Sequence, residues 1–158
     1  RLQMGFCNNI IFYNKKTEET HLLLKSPAII SDFYFPTYSQ DYSGQRFYFL
    51  LFGIRDTDSN KDGFIDSNDA EKVYMSDMSG KKIIQITPNQ TQLNDWFIDV
   101  ATDNIIMYVR TNSNGDKVFD AYDDMLILKS SITKPAMGFD IINPSIKADI
   151  KSILNKIK

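Results

Sequence analysis

Two stretches of this chain are built alike. DSNKDGFIDSND (Asp58–Asp69) and NSNGDKVFDAYD (Asn112–Asp123) align without a gap: Asp58 with Asn112, Asn60 with Asn114, Asp62 with Asp116, Phe64 with Val118, Asp66 with Asp120, and Asp69 with Asp123. Each follows an apolar run that ends in arginine, at Arg55 and Arg110, and each precedes another apolar run, VYMSD or MLILKS. A strand, an acidic loop and a strand that recur in constant register imply repeated strand-built units sharing a core.

The rest of the chain agrees. NIIFYNKKTEETHLLLKS reads as a β-hairpin from Asn9 to Ser26, part of a third unit without a loop. RFYFLLFGIR (Arg46–Arg55) is nearly continuous in apolar residues, the pattern of a strand buried on both faces. KVYMSDMSGKKIIQIT reads as two strands around a turn at Ser79–Gly80, DWFIDVATDNIIMYVR as two strands around a turn at Ala101–Asn104, and DMLILKS as one more strand. At the C-terminus Asn143 suits a helix N-cap and Pro144 the first helical position. Ile146, Ile150, Ile153 and Ile157 follow at helical spacing, with lysines at 147, 151, 156 and 158, which predicts a short amphipathic helix docked on a sheet.

The expected fold is mainly β: antiparallel β-meanders, open or sandwich-like, with a short C-terminal α-helix. A single domain spans 1–158: hairpin 9–26, first repeat 33–88 with loop 58–69, second repeat 93–142 with loop 112–123, and helix 143–158. The chain's 158 residues, 42% of them hydrophobic, suit one core. Its 18 basic and 20 acidic residues leave a net charge of −2, which argues against a nucleic-acid partner. The acidic residues are mostly aspartate, glutamate standing only at 18, 19 and 71, a bias toward turns and caps. Cys7 is the one cysteine, so no intrachain disulfide forms. No apolar run approaches bilayer-spanning length. The chain opens at Arg1 with no signal-peptide pattern, as a trimmed mature form would.

The acidic loop has a chemical logic. A hard dication takes six to eight oxygens in a flexible shell. In DSNKDGFIDSND the side chains of Asp58, Asn60 and Asp62 stand at the first, third and fifth positions, and Gly63 permits a sharp turn. Phe64 would offer its carbonyl, Asp66 stands ninth and Asp69 closes the shell at the twelfth, with Ile65 anchoring the loop inward. From Asp56 to Asp69 five carboxylates face one lysine, a crowding that a bound cation relieves. The plainer reading is an Asx-rich polar turn without metal. These residues resemble an EF-hand calcium loop, and more closely the dockerin form that ends in aspartate, although strands rather than helices flank it here. The second loop offers Asn112, Asn114, Asp116, Val118, Asp120 and Asp123 in the same roles. It has Asn at the first position and Lys117 where the turning glycine stood, so Lys117 must take a positive φ and a second site would be weaker.

The strands around these loops, above all SDMSGKKIIQIT, resemble the repeats of TolB-type, WD40-like β-propellers over residues 33–142. That resemblance implies two to three blade-like sheets, too few to close a ring. The layout is also similar to that of bacterial exported proteins, which implies no activity. Other motifs favour structure over chemistry. DFYFPTYSQDYSGQRFYF, with Phe33 and Phe35 on one face and Tyr34 on the other, reads as sheet packing before a sugar- or peptide-stacking platform, and Trp96 as core. Nothing in the spacing joins His21 to Cys7, and Asp95, Asp99 and Asp103 read as strand and turn residues before a hydrolase's carboxylates. The expectation is a non-enzymatic module whose strand-connecting loops bind one or two calcium ions. The alternatives are a calcium-dependent protein- or glycan-binding module and a hydrolase on a calcium-stabilised scaffold. The modest affinity expected of such loops would fill them outside the cell, which implies an exported, periplasmic or surface location.

Overall fold

The computed structural model describes residues 6–36, 48–154 and 156. A short hairpin comes first, β1 (Ile11–Tyr13) paired with β2 (Thr20–Leu22). Two four-stranded antiparallel meanders follow. The first contains β3 (Ile29–Tyr34), β4 (Phe49–Arg55), β5 (Lys72–Asp77) and β6 (Ile84–Gln85). The second contains β7 (Thr91–Asp99), β8 (Asn104–Thr111), β9 (Met125–Ser131) and β10 (Phe139–Asp140), and the helix α1 spans Pro144–Leu154. The mainly β, open antiparallel fold expected from the sequence is what forms. Strand β10 is an addition, and β4 begins at Phe49, with Tyr48 outside the strand and Arg46 and Phe47 outside the described residues.

The two meanders are the same structure twice. Each acidic loop joins the second strand of its meander to the third. In β3–β4 the pairs Ile30↔Ile54, Asp32↔Gly53 and Tyr34↔Leu51 match Leu93↔Val109, Asp95↔Tyr108 and Phe97↔Ile106 in β7–β8. A bulge interrupts both at the same place, between Ile30 and Asp32 and between Leu93 and Asp95. In the third and fourth strands, Met75↔Leu51 and Met75↔Ile84 correspond to Lys129↔Ile106 and Lys129↔Phe139.

The meanders lie face to face. One core joins Phe49, Leu51, Val73, Met75 and Ile86 of the first to Leu93, Trp96, Ile105, Met107, Val109 and Leu128 of the second. Leu93 N–H donates to the carbonyl of Glu71 (2.8 Å) and Gly138 N–H to that of Ile86 (2.8 Å), which ties the sheets together at both ends of the contact. The other face of the first meander, with Leu50, Phe52 and Ile54, is covered by the N-terminal segment through Leu23, Ala28, Ile10 and Phe12. Covered on both sides, every residue of β4 is buried, as its continuous apolar run predicts. Phe33 and Tyr34 face these two different cores and Trp96 fills the shared one, as expected; of the long aromatic stretch, residues 37–47 lie outside the described residues.

The helix forms where its cap predicts, with Asn143 Oδ1 accepting from Ile146 N–H (3.0 Å). It does not dock. No residue of α1 is buried, and Ile146, Ile150 and Ile153 stand exposed, while Ile157 lies outside the described residues. Two ion pairs tether it instead, Lys147 to Asp140 and Lys151 to Asp124. Periodicity gave the stripe correctly, but the nearest acidic groups capture the lysines and turn the stripe to solvent. Among the described residues no helix is long and apolar enough to cross a membrane.

Candidate metal centre

Each acidic loop is organised by its own aspartates and asparagines, which accept hydrogen bonds from loop amides (Asx turns). In the first loop Asp58 Oδ1 accepts from Asp62 N–H (3.1 Å) and Oδ2 from Gly63 N–H (2.9 Å). Asn60 Oδ1 also accepts from Asp62 N–H (2.9 Å), and Asp62 Oδ1 from Phe64 N–H (3.0 Å). Asp66 Oδ1 accepts from Asn68 N–H (2.7 Å). Asp69, only 2% exposed, closes the loop: Oδ1 accepts from Ser59 N–H (2.6 Å) and Asn60 N–H (3.3 Å), and Oδ2 from Asp66 N–H (2.9 Å). The twelfth position is thereby tied to the second, third and ninth.

The second loop repeats this almost bond for bond. Asn114 Oδ1 accepts from Asp116 N–H (3.0 Å), Asp116 Oδ1 from Val118 N–H (2.8 Å) and Asp120 Oδ1 from Tyr122 N–H (2.8 Å). Buried Asp123 accepts from Ser113 N–H (2.8 Å), Asn114 N–H (3.4 Å) and Asp120 N–H (3.2 Å). The copies differ at the first position. Asn112 Oδ1 accepts one bond, from Lys117 N–H at 3.3 Å, where both oxygens of Asp58 are used.

Four contributors, at two equivalent positions, lay outside the sequence reading. Ser59 and Ser113, at the second position, donate to the closing aspartate and accept from Ala70 N–H (2.7 Å) and Asp124 N–H (2.9 Å). Their signal was available, since serine stands there in both copies. Arg55 and Arg110 brace the loop ends, Arg55 Nε donating to the Asp69 carbonyl (2.9 Å) and Arg110 Nη1 to the Asp120 carbonyl (2.7 Å). Arg55 also pairs with Glu71 at 2.9 Å. The apolar tips Phe64, Val118 and Tyr122 are exposed, and Ile65 is half-buried beneath the loop.

Backbone geometry records the turning positions. Both loops adopt positive φ at the fourth and sixth residues: Lys61 (65°) and Gly63 (96°) in the first, Gly115 (79°) and Lys117 (70°) in the second. Lys117 takes the positive φ that its place demands, and glycine and lysine have exchanged positions between the copies. A side chain in this region costs about 1 kcal/mol. Lys61→Gly and Lys117→Gly are therefore each expected to stabilise the protein by about 0.5–1 kcal/mol in urea unfolding. A loss of stability in either would show that the lysine makes a compensating contact.

The electrostatics follow from the bonds. Burial pushes the Asp69 carboxyl up, but the amides of Asp66, Ser59 and Asn60 and the Ser59 hydroxyl outweigh it and hold the group below its ordinary value. Asp123 repeats the balance. At Asp56 burial is outweighed by hydrogen bonds from Lys72 and Tyr74. The unfolded chain takes up these protons near the ordinary aspartate value of 3.8, and the folded chain only below it. The stability these carboxylates contribute is thus complete above that value and lost as pH falls through the lower folded values. The melting temperature is expected to be level from pH 7 to about 5 and to fall steeply below about 4. A fall beginning near neutrality would point to a different titrating group.

Whether such a loop fits a cation turns on its donors. The lining is all oxygen, from carboxylates, amides and backbone, the chemistry a hard dication takes. A carboxylate offers about four lone pairs, so the hydrogen bonds described leave acceptor capacity on Asp58, Asp62 and Asp66 of the first loop and on Asp116 and Asp120 of the second, whereas the four bonds accepted by Asp69 and by Asp123 use about that many. Among the described residues no three carboxylate, imidazole or thiol groups converge as a metal cluster, since the carboxylates are spread along the loops and engaged with amides. Of the remaining acidic candidates, Asp95 lies within β7 and accepts from Trp96 N–H (2.8 Å), Asp99 accepts from Ala101 N–H (3.2 Å) in a turn, and Asp103 holds a positive φ of 54°. His21 stacks on Phe12 and lies 2.9 Å from the Ser79 carbonyl, fastening the hairpin to the β5–β6 turn. Compared with known proteins, the chain matches no family model, no curated protein and no solved structure.

Proposed function

We propose that this protein is a non-enzymatic, calcium-binding β-module in which the ion fixes the strand-connecting loops. The reading rests on one observation: two all-oxygen loops hold the same hydrogen-bonded form at the same place in two meanders, though their sequences differ at 7 of their 12 positions. Asp58, Asn60, Asp62, Asp66, Asp69 and the Phe64 carbonyl would hold the first ion. Asn112, Asn114, Asp116, Asp120, Asp123 and the Val118 carbonyl would hold a second, weaker one. The ion supplies positive charge that offsets the carboxylates' repulsion, so binding adds to folding free energy. With an affinity of about 10⁻⁴ to 10⁻³ M, typical of extracellular modules, the loops would fill outside the cell, and the protein would work at an exported, periplasmic or surface location.

Thermal unfolding of chelated protein, titrated with calcium and then magnesium, tests this. A hundredfold excess over Kd is expected to stabilise by about 2.7 kcal/mol per site. Most of the rise should vanish in Asp58→Ala and a smaller part in Asp116→Ala. No calcium-selective rise in the parent protein would leave both loops as polar turns.

A second reading draws on the exposed Phe64, Val118 and Tyr122. Apolar groups at the tips of ion-ordered loops suit a calcium-dependent surface for a protein or glycan partner. Pull-downs with calcium and with chelator separate this from a purely structural role, and identical partners in both would remove it.

A further inference from the structure

The register of the two meanders identifies a face that ought to be covered. The first meander buries Tyr34, Phe49, Leu51, Val73, Met75, Ile84 and Ile86 against the second. Their equivalents in the second meander, strand by strand, are Phe97, Asn104, Ile106, Ile127, Lys129, Phe139 and Ile141. Five of these seven keep an apolar residue. Lys129 extends its ammonium over the Phe139 ring, 5.2 Å from the centroid. Yet the face lacks a covering layer among the described residues: Leu51 and Val73 are 0% exposed, whereas Phe97 is 47%, Phe139 60% and Ile141 46%. Only central Ile106 is buried.

What covers it follows from which faces remain free. The opposite faces of both meanders are already occupied, one by the N-terminal segment and the other by the neighbouring meander. A second copy therefore offers one open sheet face of this kind, the same one. We infer that the protein forms a two-fold dimer through this face, the second meander of one copy against the second meander of the other. Isologous contacts of this sort are the commonest way for one patch to be covered and closed. A two-fold axis parallel to the strands lays β7 over β10 of the second copy and β8 over β9. Phe97 then meets Phe139, and Lys129 comes within reach of Asp95. Strands about 4.8 Å apart and rising ~3.3 Å per residue, three of them of 9, 8 and 7 residues and β10 of 2, make a face on the order of 400 Å² in projection. With side-chain relief, two such faces reach the low end of specific interfaces, about 1,200 Å² in total. The affinity should accordingly be modest.

Sedimentation analysis over a dilution series tests this, run in calcium and again in chelator so that the outcome does not depend on the metal reading. A monomer–dimer equilibrium is expected, with Phe97→Asp and Phe139→Asp each raising the dissociation constant by about 100-fold. Ile11→Asp and Tyr13→Asp, on the exposed side of the hairpin, should leave it unchanged. Hydroxyl-radical footprinting of the unaltered protein needs no variant: Phe97 and Phe139 should become protected on concentration while Ile11 and Tyr13 stay reactive. A monomer at every concentration overturns the proposal. So does growth beyond the dimer, or dissociation by the hairpin variants alone, since either means head-to-tail stacking.

Discussion

Replacing Asp69 with alanine is expected to cost about 3 kcal/mol and to abolish the calcium response of the first loop. One carboxylate accepts the amides of Ser59, Asn60 and Asp66 and the Ser59 hydroxyl. Bonds to a charged acceptor contribute about 1.5–3 kcal/mol each where water is excluded, and less where it can replace the partner. Asp69 is buried while the loop around it is open, so the estimate sits at the scale of one or two such bonds. Asp69→Asn separates shape from charge. It keeps one acceptor oxygen but aims an amide donor at the N–H of Ser59 or Asp66, and should recover less than half the loss. Chemical denaturation in chelator reads the hydrogen bonds alone, and the calcium titration reads the ion. If Asp69→Ala unfolds like the parent protein in chelator, the closing bonds do not hold the loop.

Gly53→Ala should be comparably severe, for a different reason. A Cβ at this position would lie 1.9 Å from Glu71 Oε1, 3.0 Å from Glu71 Cδ and 3.2 Å from Asp32 Cβ. The Glu71 side chain crosses the sheet over the bare glycine to reach Arg55, whose other nitrogens hold Ser31 and the Asp69 carbonyl. Forcing Glu71 aside leaves the guanidinium without its counter-charge in a largely buried place, at a cost of about 3 kcal/mol. The prediction is a coupling. In a Glu71→Ala background the same Gly53→Ala change meets little and should cost well under half as much. Equal costs in the two backgrounds would mean that β4 rejects the methyl through the sheet itself.

The sequence made the strands and loops legible because each carries a local signal: continuous apolar runs for β4 and β8, and oxygen-bearing side chains at alternate positions for Asp58–Asp69. The constant spacing of the two loops foretold two copies of one unit. The matching bulged segments SDFY (Ser31–Tyr34) and NDWF (Asn94–Phe97) escaped notice, because they stand 63 residues apart while the loops stand 54 apart. Strand β10 has two residues and no periodicity to display. The roles of Glu71 and Gly53 depend on a side chain crossing between strands, and no linear pattern encodes a crossing. The helix shows the same division. Its spacing and cap are local, but its partner is a tertiary matter, settled by Asp124 and Asp140. Within the loops the oxygen positions were legible, whereas the serine at the second position and the bracing arginines acquire meaning only from what they touch.

Among the described residues, the strands that pair within each sheet are consecutive in the chain. Each meander is therefore built from pairings of consecutive strands, and the long-range work is left to docking the N-terminal segment and the second meander on the two faces of the first. Such an arrangement favours rapid folding for a β protein, since little loop entropy is lost before the pairings form. It also makes the unit modular in descent. A segment that folds from its own neighbours and presents the same two faces as its sibling can be gained or lost by duplication or deletion, and its flanking units need no new topology to receive it.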